Sequence, residues 1–249
     1  MNSVANIKTI AKRELCGYFG SPVAYVFIVI FLLLTGFFTF SSAGGFFERG
    51  QASLEGPFFM WHPWLYLFLV PSVGMRLWAE ERRVGTLELL LTMPVTAWQA
   101  IVGKFLASWL FLALALLLTF PVVITVNYLG SPDNGVIFTA YVGSFLMAGA
   151  YLAISCMTSA MTRNQVVSFI VSVVICLFLV LCGFRPVIQI ISRLDKPWLL
   201  NLVASFSVMT HFETFSKGLL DSRDVIFFLS VIGFSLFTTG VILRSHRAG

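Results

Sequence analysis

Charge is what this chain has least of. Only 11% of its 249 residues are Asp, Glu, Lys or Arg, against 58% hydrophobic, and the mean hydropathy is +0.92. A soluble domain carries roughly a quarter charged residues, so a water-exposed globular class is excluded. Metal-like cysteine spacing is missing too. Cys16, Cys156, Cys176 and Cys182 form no paired motif, and a thiol in an apolar run behaves as a small hydrophobe. No HExxH occurs, no Ser-His-Asp set that spacing supports, and no carboxylate pair within an apolar run. These absences leave no catalytic or metal site to place. Buried charge, which proton-driven carriers and voltage sensors need, is nearly absent. His62 stands at the start of an apolar run between Trp61 and Trp64, which predicts a histidine in the aromatic belt at the headgroup boundary.

What the chain does have is long apolar runs. A bilayer-spanning helix needs roughly 20 apolar residues. Six runs free of Asp, Glu, Lys and Arg qualify, within residues 15–47, 56–75, 105–132, 134–162, 164–184 and 225–243. Backbone groups in hydrocarbon must be satisfied internally, so these runs are expected to be helices. The fold class is therefore an all-α polytopic membrane protein, a single transmembrane domain over 1–249. Its spans are expected at 22–42, 58–78, 104–129, 136–161, 165–184 and 225–243. A cleaved signal peptide competes for the first run, because Ser41, Ser42 and Ala43 end it in small residues. Its apolar part, 23–40, exceeds the limit of about 15 residues for a signal peptide, so an uncleaved span is expected.

Six spans put both termini on one side, and basic residues choose the side. Lys8, Lys12, Arg13, Arg76, Arg82, Arg83, Lys104, Arg163, Arg244 and Arg247 fall on the terminal side; a short loop opposite holds only Arg49. Both termini are expected in the cytoplasm, with the chain in a bacterial inner membrane. The net charge of +5 then reports topology, not nucleic-acid binding.

Residues 4–19 read as an amphipathic helix. Val4, Ile7, Ile10, Ala11, Leu15 and Tyr18 recur at helical spacing, while Lys8 and Lys12 mark another face. Such a helix suits the interface, its lysines near anionic headgroups. Ser21-Pro22 supplies an N-cap and a first-turn proline for the next helix. Pro63 and Pro71 predict a bent second span. The short turn at Arg163-Asn164-Gln165 forces an antiparallel hairpin. Residues 185–224 hold short apolar segments at 187–194, 198–206 and 212–220, expected as re-entrant or capping helices on the outer side.

The cytoplasmic loop 80–103 is the most unusual segment. It crowds Glu80, Glu81, Arg82, Arg83 and Glu88 beside a leucine cluster too short to cross a bilayer. Gly85 can break the preceding helix and Thr86 can cap a new one, with Glu88 in its first turn. Leu87, Leu90 and Leu91 then share one face, and Met93-Pro94 ends the helix. Thr96 to Gln99 reads as a capping box opening the next one. The result is a short helix at 85–93 with an apolar face. Physical chemistry offers two places for that face: the lipid interface, or a groove on a soluble partner.

Glu81-Arg82, Gly85-Thr86-Leu87-Glu88, Leu90, Pro94 and Lys104 resemble the first-loop pattern of type-2 ATP-binding-cassette (ABC) exporter permeases. Arg13-Glu14, Tyr18-Phe19 and Ser21-Pro22 resemble the gliding-motility-type branch of that family. So do Ser205-Phe206-Ser207, His211-Phe212, Phe215, Gly218 and Asp224. The resemblance implies that 85–93 is a coupling helix docking on an ATPase, flanked by Glu81, Arg82 and Arg83, with Lys8, Lys12, Arg13 and Glu14 on an interfacial helix beside it. It further implies an extracytoplasmic cap involving Trp198, Phe206, His211, Phe212, Phe215 and Gly218. The chain has no GxxxxGK[ST] phosphate loop. ATP and Mg are thus expected on two separate ATPase subunits, with no cofactor or enzymatic activity on this chain. A second permease half, most simply another copy, and an auxiliary extracytoplasmic protein complete the implied partners, alongside membrane lipids. An ATP-independent transporter or channel, and a non-transporting scaffold for a soluble protein, are the alternatives from other classes.

Overall fold

Local capping chemistry starts most of the long helices. In the computed structural model, which describes residues 3–41, 46–47, 53–86, 96–192 and 197–245, every regular element is a helix. They are α1 (Ser3–Phe19), α2 (Pro22–Phe40), a 3-10 turn (Phe59–Trp61), α3 (His62–Gly74), α4 (Arg76–Val84), α5 (Ala97–Leu117) and α6 (Phe120–Leu129). Then come α7 (Asn134–Met161), α8 (Gln165–Leu181), α9 (Arg185–Ser192), α10 (Pro197–Ser205), α11 (Val208–Ser216) and α12 (Ser222–Ser245). The Ser21 hydroxyl accepts from the Val23 amide and Pro22 opens the first turn of α2. Thr96 and Gln99 exchange side-chain and backbone bonds in a capping box at α5. Asp133 caps α7 and Asn164 caps α8.

Among the described residues, four helical stretches are long and apolar enough to cross a membrane: Pro22–Phe40, Ala97–Leu129, Asn134–Met161 and Ser222–Ser245. A fifth forms if Gln165–Leu181 and Arg185–Ile191, bent by 63°, make one broken span. The second apolar run behaves differently. α3 has 13 residues, about 20 Å at 1.5 Å per residue, and the chain breaks at Met75 before α4. Pro71 lies inside α3, and its carbonyl accepts the Met75 amide at 2.9 Å. Most of α3 is buried by the helices around it. The run from Ala97 also breaks, at Leu118 and Thr119, just ahead of Pro121.

α7 is the central helix. It packs against α3, α4, α5, α8, α11 and α12, and its 28 residues reach about 42 Å. Lipid tails are as apolar as the core, so membrane helices associate through close packing, which small residues permit. Gly143, Ala148, Gly149, Ala150, Ala153, Ser155 and Ala160 of α7 are all buried. A Cβ at Gly143 would lie 2.6 Å from the Phe215 Cβ, so α11 seats directly on this glycine. Around the same core, Trp78, Tyr151, Phe31, Phe59, Phe111 and Phe228 are fully buried.

Candidate functional site

The break at Met75 leaves the first amides of α4 without helical partners, and no local side chain caps them. Ser159 of α7 does so from across the bundle. Its hydroxyl accepts from the amides of Trp78 (3.0 Å) and Ala79 (2.9 Å) and donates to the Met75 carbonyl (2.8 Å). One serine thus satisfies both sides of the helix break. The Trp78 indole N–H donates to Cys156 Sγ at 3.1 Å, and Arg82 Nη1 donates to the Ala160 carbonyl at 2.6 Å. α4 is therefore pinned along the last two turns of α7. Burial, then the nearby charge of Arg163, lowers the Arg82 pKa.

α4 ends at Gly85, whose φ of 79° is the left-handed conformation that glycine adopts without steric cost. The exposed Thr86 hydroxyl donates back to the Glu81 carbonyl at 3.4 Å. Arg83 pairs with Glu80 at 2.8 Å on the exposed side. Leu87, Glu88, Leu90, Leu91 and Pro94 lie outside the described residues, and so does most of the expected helix 85–93.

Beside α4 lies a buried ion cluster. Lys104 Nζ sits 2.8 Å from Glu81 Oε1 and 3.3 Å from Glu14 Oε1, and Arg13 holds the same Glu14 oxygen at 3.0 Å. The Lys104 side chain is 5% exposed and its ammonium lies 5.4 Å from the Trp78 ring centroid. Two carboxylates face two cations, so the cluster is neutral. Burial raises the Glu14 pKa, but Lys104 and Arg13 outweigh it and hold the carboxyl below its usual value. α1 is fastened to α5 by more than charge. Ile7 and Ile10 close on Gly103, Asn6 donates to Gln99 at 3.3 Å, and Tyr18 bonds Ser108 at 2.8 Å while stacking on Phe111. Burial pushes the Tyr18 hydroxyl up to about 12. Lys8 and Lys12 point away from the bundle, exposed.

At the opposite end, α11 is capped by Ser207, whose hydroxyl accepts the Thr210 amide at 3.0 Å. Phe212 and Phe215 are buried, and the Phe215 carbonyl accepts the Thr139 hydroxyl of α7 at 2.9 Å. His211 stacks on Phe227, with Nδ1 2.6 Å from Asp224 Oδ1 and Nε2 3.2 Å from the Ser205 carbonyl. The ring thus bridges the Asp224 carboxyl of α12 and the Ser205 carbonyl at the end of α10. Gly218 turns the chain after α11 with φ 85°. Trp198 and Phe206 are exposed, so the six expected cap residues divide into a packed set and a free pair.

His62 is enclosed by protein on all sides. It is fully buried, stacked on Tyr66, edge-on to Phe58 and Phe59, with Nδ1 2.8 Å from Ser144 Oγ. Trp61 and Trp64, whose flanking positions suggested the belt, pack elsewhere: Trp61 stacks on Phe38 and Trp64 meets Phe184 edge-on. Ser144 and Ser159 were invisible to sequence reasoning, because serines on a packed helix carry no periodic signal. Among the described residues, no three His, Cys, Asp or Glu side chains assemble as a metal set.

The two ends of α7 thus hold α4 and α11. Residues 66–239 match the family model described as "ABC-2 family transporter protein". That match runs from α3 into α12 and covers more than half of the chain. No curated protein matches it. With its apolar helices of membrane-crossing length, the chain belongs to the ABC-2 family of transporters, as a membrane permease component.

Proposed function

We propose that this chain is the transmembrane half of an ABC exporter of the gliding-motility-type branch. It has six spans, with α3 as a short second span shielded by its neighbours, and both termini in the cytoplasm of a bacterial cell. Residues 85–93 form a coupling helix. Two separate ATPase subunits hold ATP and Mg, and each grips one such helix in a pair of permease copies. Closure of the ATPases pushes this segment, and the push enters the membrane through α4. An auxiliary extracytoplasmic protein meets the outer cap built by α9 to α11.

The supporting observation is the fastening of α4. Ser159, Cys156 and the Ala160 carbonyl bind it to α7, and Glu81 binds it through Lys104 to α5 and α1. Packed elements shift as units and do not deform smoothly. A displacement of α4 must therefore carry α7 with it, and α7 bears α11 through Gly143 and Thr139 at the other end. The site moves substrate by rearranging helices; no covalent step belongs to this chain.

The test is copurification followed by an ATPase assay. The parent chain should bring down a nucleotide-hydrolysing subunit. The double variant Leu87→Asp/Leu90→Asp should fold but lose both the complex and transport. Normal assembly and transport by that variant would sink the reading. Transport by the purified chain alone would favour a secondary transporter, and a partner that hydrolyses no nucleotide would favour a scaffold.

A further inference from the structure

A cavity of about 320 Å³ opens between α1, α2, α3, α4 and α5, beside the ion cluster. Its wall is divided by chemistry. Val23, Ala24, Phe27, Val73, Leu77 and Phe111 make an apolar side, while Ser21, Ser72, Arg76 and Tyr18 make a polar one with Glu14 and Lys104. The charges at the polar end do not cancel. Glu14, Glu81, Lys104 and Arg13 neutralise one another. Arg76 has no ion pair among the described residues, so one positive charge remains facing the cavity. The first turn of α2 lies on the same wall, and a helix N-terminus favours an anion.

We propose that this cavity holds the headgroup of an anionic phospholipid from the leaflet in which α1 lies. Arg76 binds the phosphate, the Ser21 hydroxyl donates to it, and the acyl chains run out along Val23 and Phe27 on α2. Arginine is suited to this because its planar fork matches phosphate oxygens and is weakly hydrated. The inference rests on the reading of α1 as an interfacial helix. It adds that the lipid is wedged where α1, α2 and α4 meet, so its presence sets how closely α4 can approach α1.

Gly17 provides a clean way to test the site. It lines the cavity, and a Cβ added there meets nothing within 4 Å. Gly17→Leu should therefore fill the space without disturbing the helix. Arg76→Gln removes the charge and keeps the volume. Arg163→Gln, on the α7–α8 turn, removes a positive charge at the same end of the bundle without touching the cavity. The full chain is placed in nanodiscs with a photoactivatable phosphatidylglycerol or phosphatidylcholine, and the labelled peptides are read by mass spectrometry.

The parent should label at 17–27 and 72–77 with phosphatidylglycerol over phosphatidylcholine. Arg76→Gln should reduce that labelling about five-fold, the effect of one basic residue on anionic lipid near a membrane surface. Gly17→Leu should abolish it, and Arg163→Gln should leave it unchanged. Equal labelling by the two lipids, or equal losses in all three variants, would overturn the site. Spin labels at Lys8 separate the two readings: if they report bulk water with no lipid contact, α1 is not interfacial and the reading beneath the proposal fails. Interfacial labels with unselective photolabelling would overturn the lipid site alone.

Discussion

Replacing Lys104 with methionine should loosen α1 and α4 together. The variant keeps most of the side-chain volume and removes a cation that joins α1 and α4 to α5. Removing one partner of a buried pair costs about 3–5 kcal/mol, because the other charge is left uncompensated. Here Glu14 and Glu81 keep 23% and 19% of their side chains accessible, and Arg13 still pairs with Glu14. The loss should fall at the lower end, about 3 kcal/mol. Most of it comes from Glu81, whose Oε2 is already buried without a partner among the described residues. Glu81→Gln should therefore recover part of the loss in the Lys104→Met background, with a coupling energy of about 1–2 kcal/mol in a double-mutant cycle. Thermal unfolding in detergent, followed through tryptophan fluorescence, reads both numbers, and Trp78 lies under the Lys104 ammonium as a local reporter. A variant as stable as the parent, or strictly additive losses, would show that the cluster does not hold these helices together.

Three further outcomes follow from the geometry. The Glu14 carboxyl is held below its ordinary value of 4.5, so its contribution is complete above that pH and is lost as pH falls through the lowered value; spin-label distances between Lys8 and Arg163 should lengthen only in that acid window, and Glu14→Gln should abolish the pH step. Gly143→Ala places a Cβ 2.6 Å from the Phe215 Cβ, so α11 must shift at a cost of about 1–3 kcal/mol, read as a lower melting temperature and faster hydrogen exchange over 208–216. His211→Ala strands the buried Asp224 carboxylate and should cost about 1.5–3 kcal/mol. Adding Asp224→Asn should return part of it, and an additive double variant would argue against the pairing.

The sequence made local features legible and tertiary ones not. Ser21-Pro22, the Thr96–Gln99 box, Asp133 and Asn164 act within one turn of their own helices, so residue type and spacing suffice to place them. Gly85 was readable for the same reason, since a glycine after Arg82 and Arg83 supplies both a left-handed turn and basic residues at the end of α4. The second apolar run shows the limit. Hydropathy counts apolar residues without distinguishing contact with lipid from burial in protein, and α3 is a short, broken helix enclosed by others. The enclosure of His62 was hidden for the same reason, because flanking tryptophans do not say that Phe58, Phe59 and Tyr66 close around it. Glu14, Glu81 and Lys104 each appeared in motifs, but their meeting across 90 residues of chain is a product of packing. Ser159 carries no motif at all, yet it closes the break between α3 and α4.

A photo-cross-linker placed at Leu87 or Leu91 in the intact cell membrane tests most directly whether a separate ATPase grips residues 87–91. The expected result is a covalent adduct with a nucleotide-hydrolysing subunit, formed at both positions and weakened by Glu81→Gln/Lys104→Met. Adducts with phospholipid alone, at both positions, would contradict it.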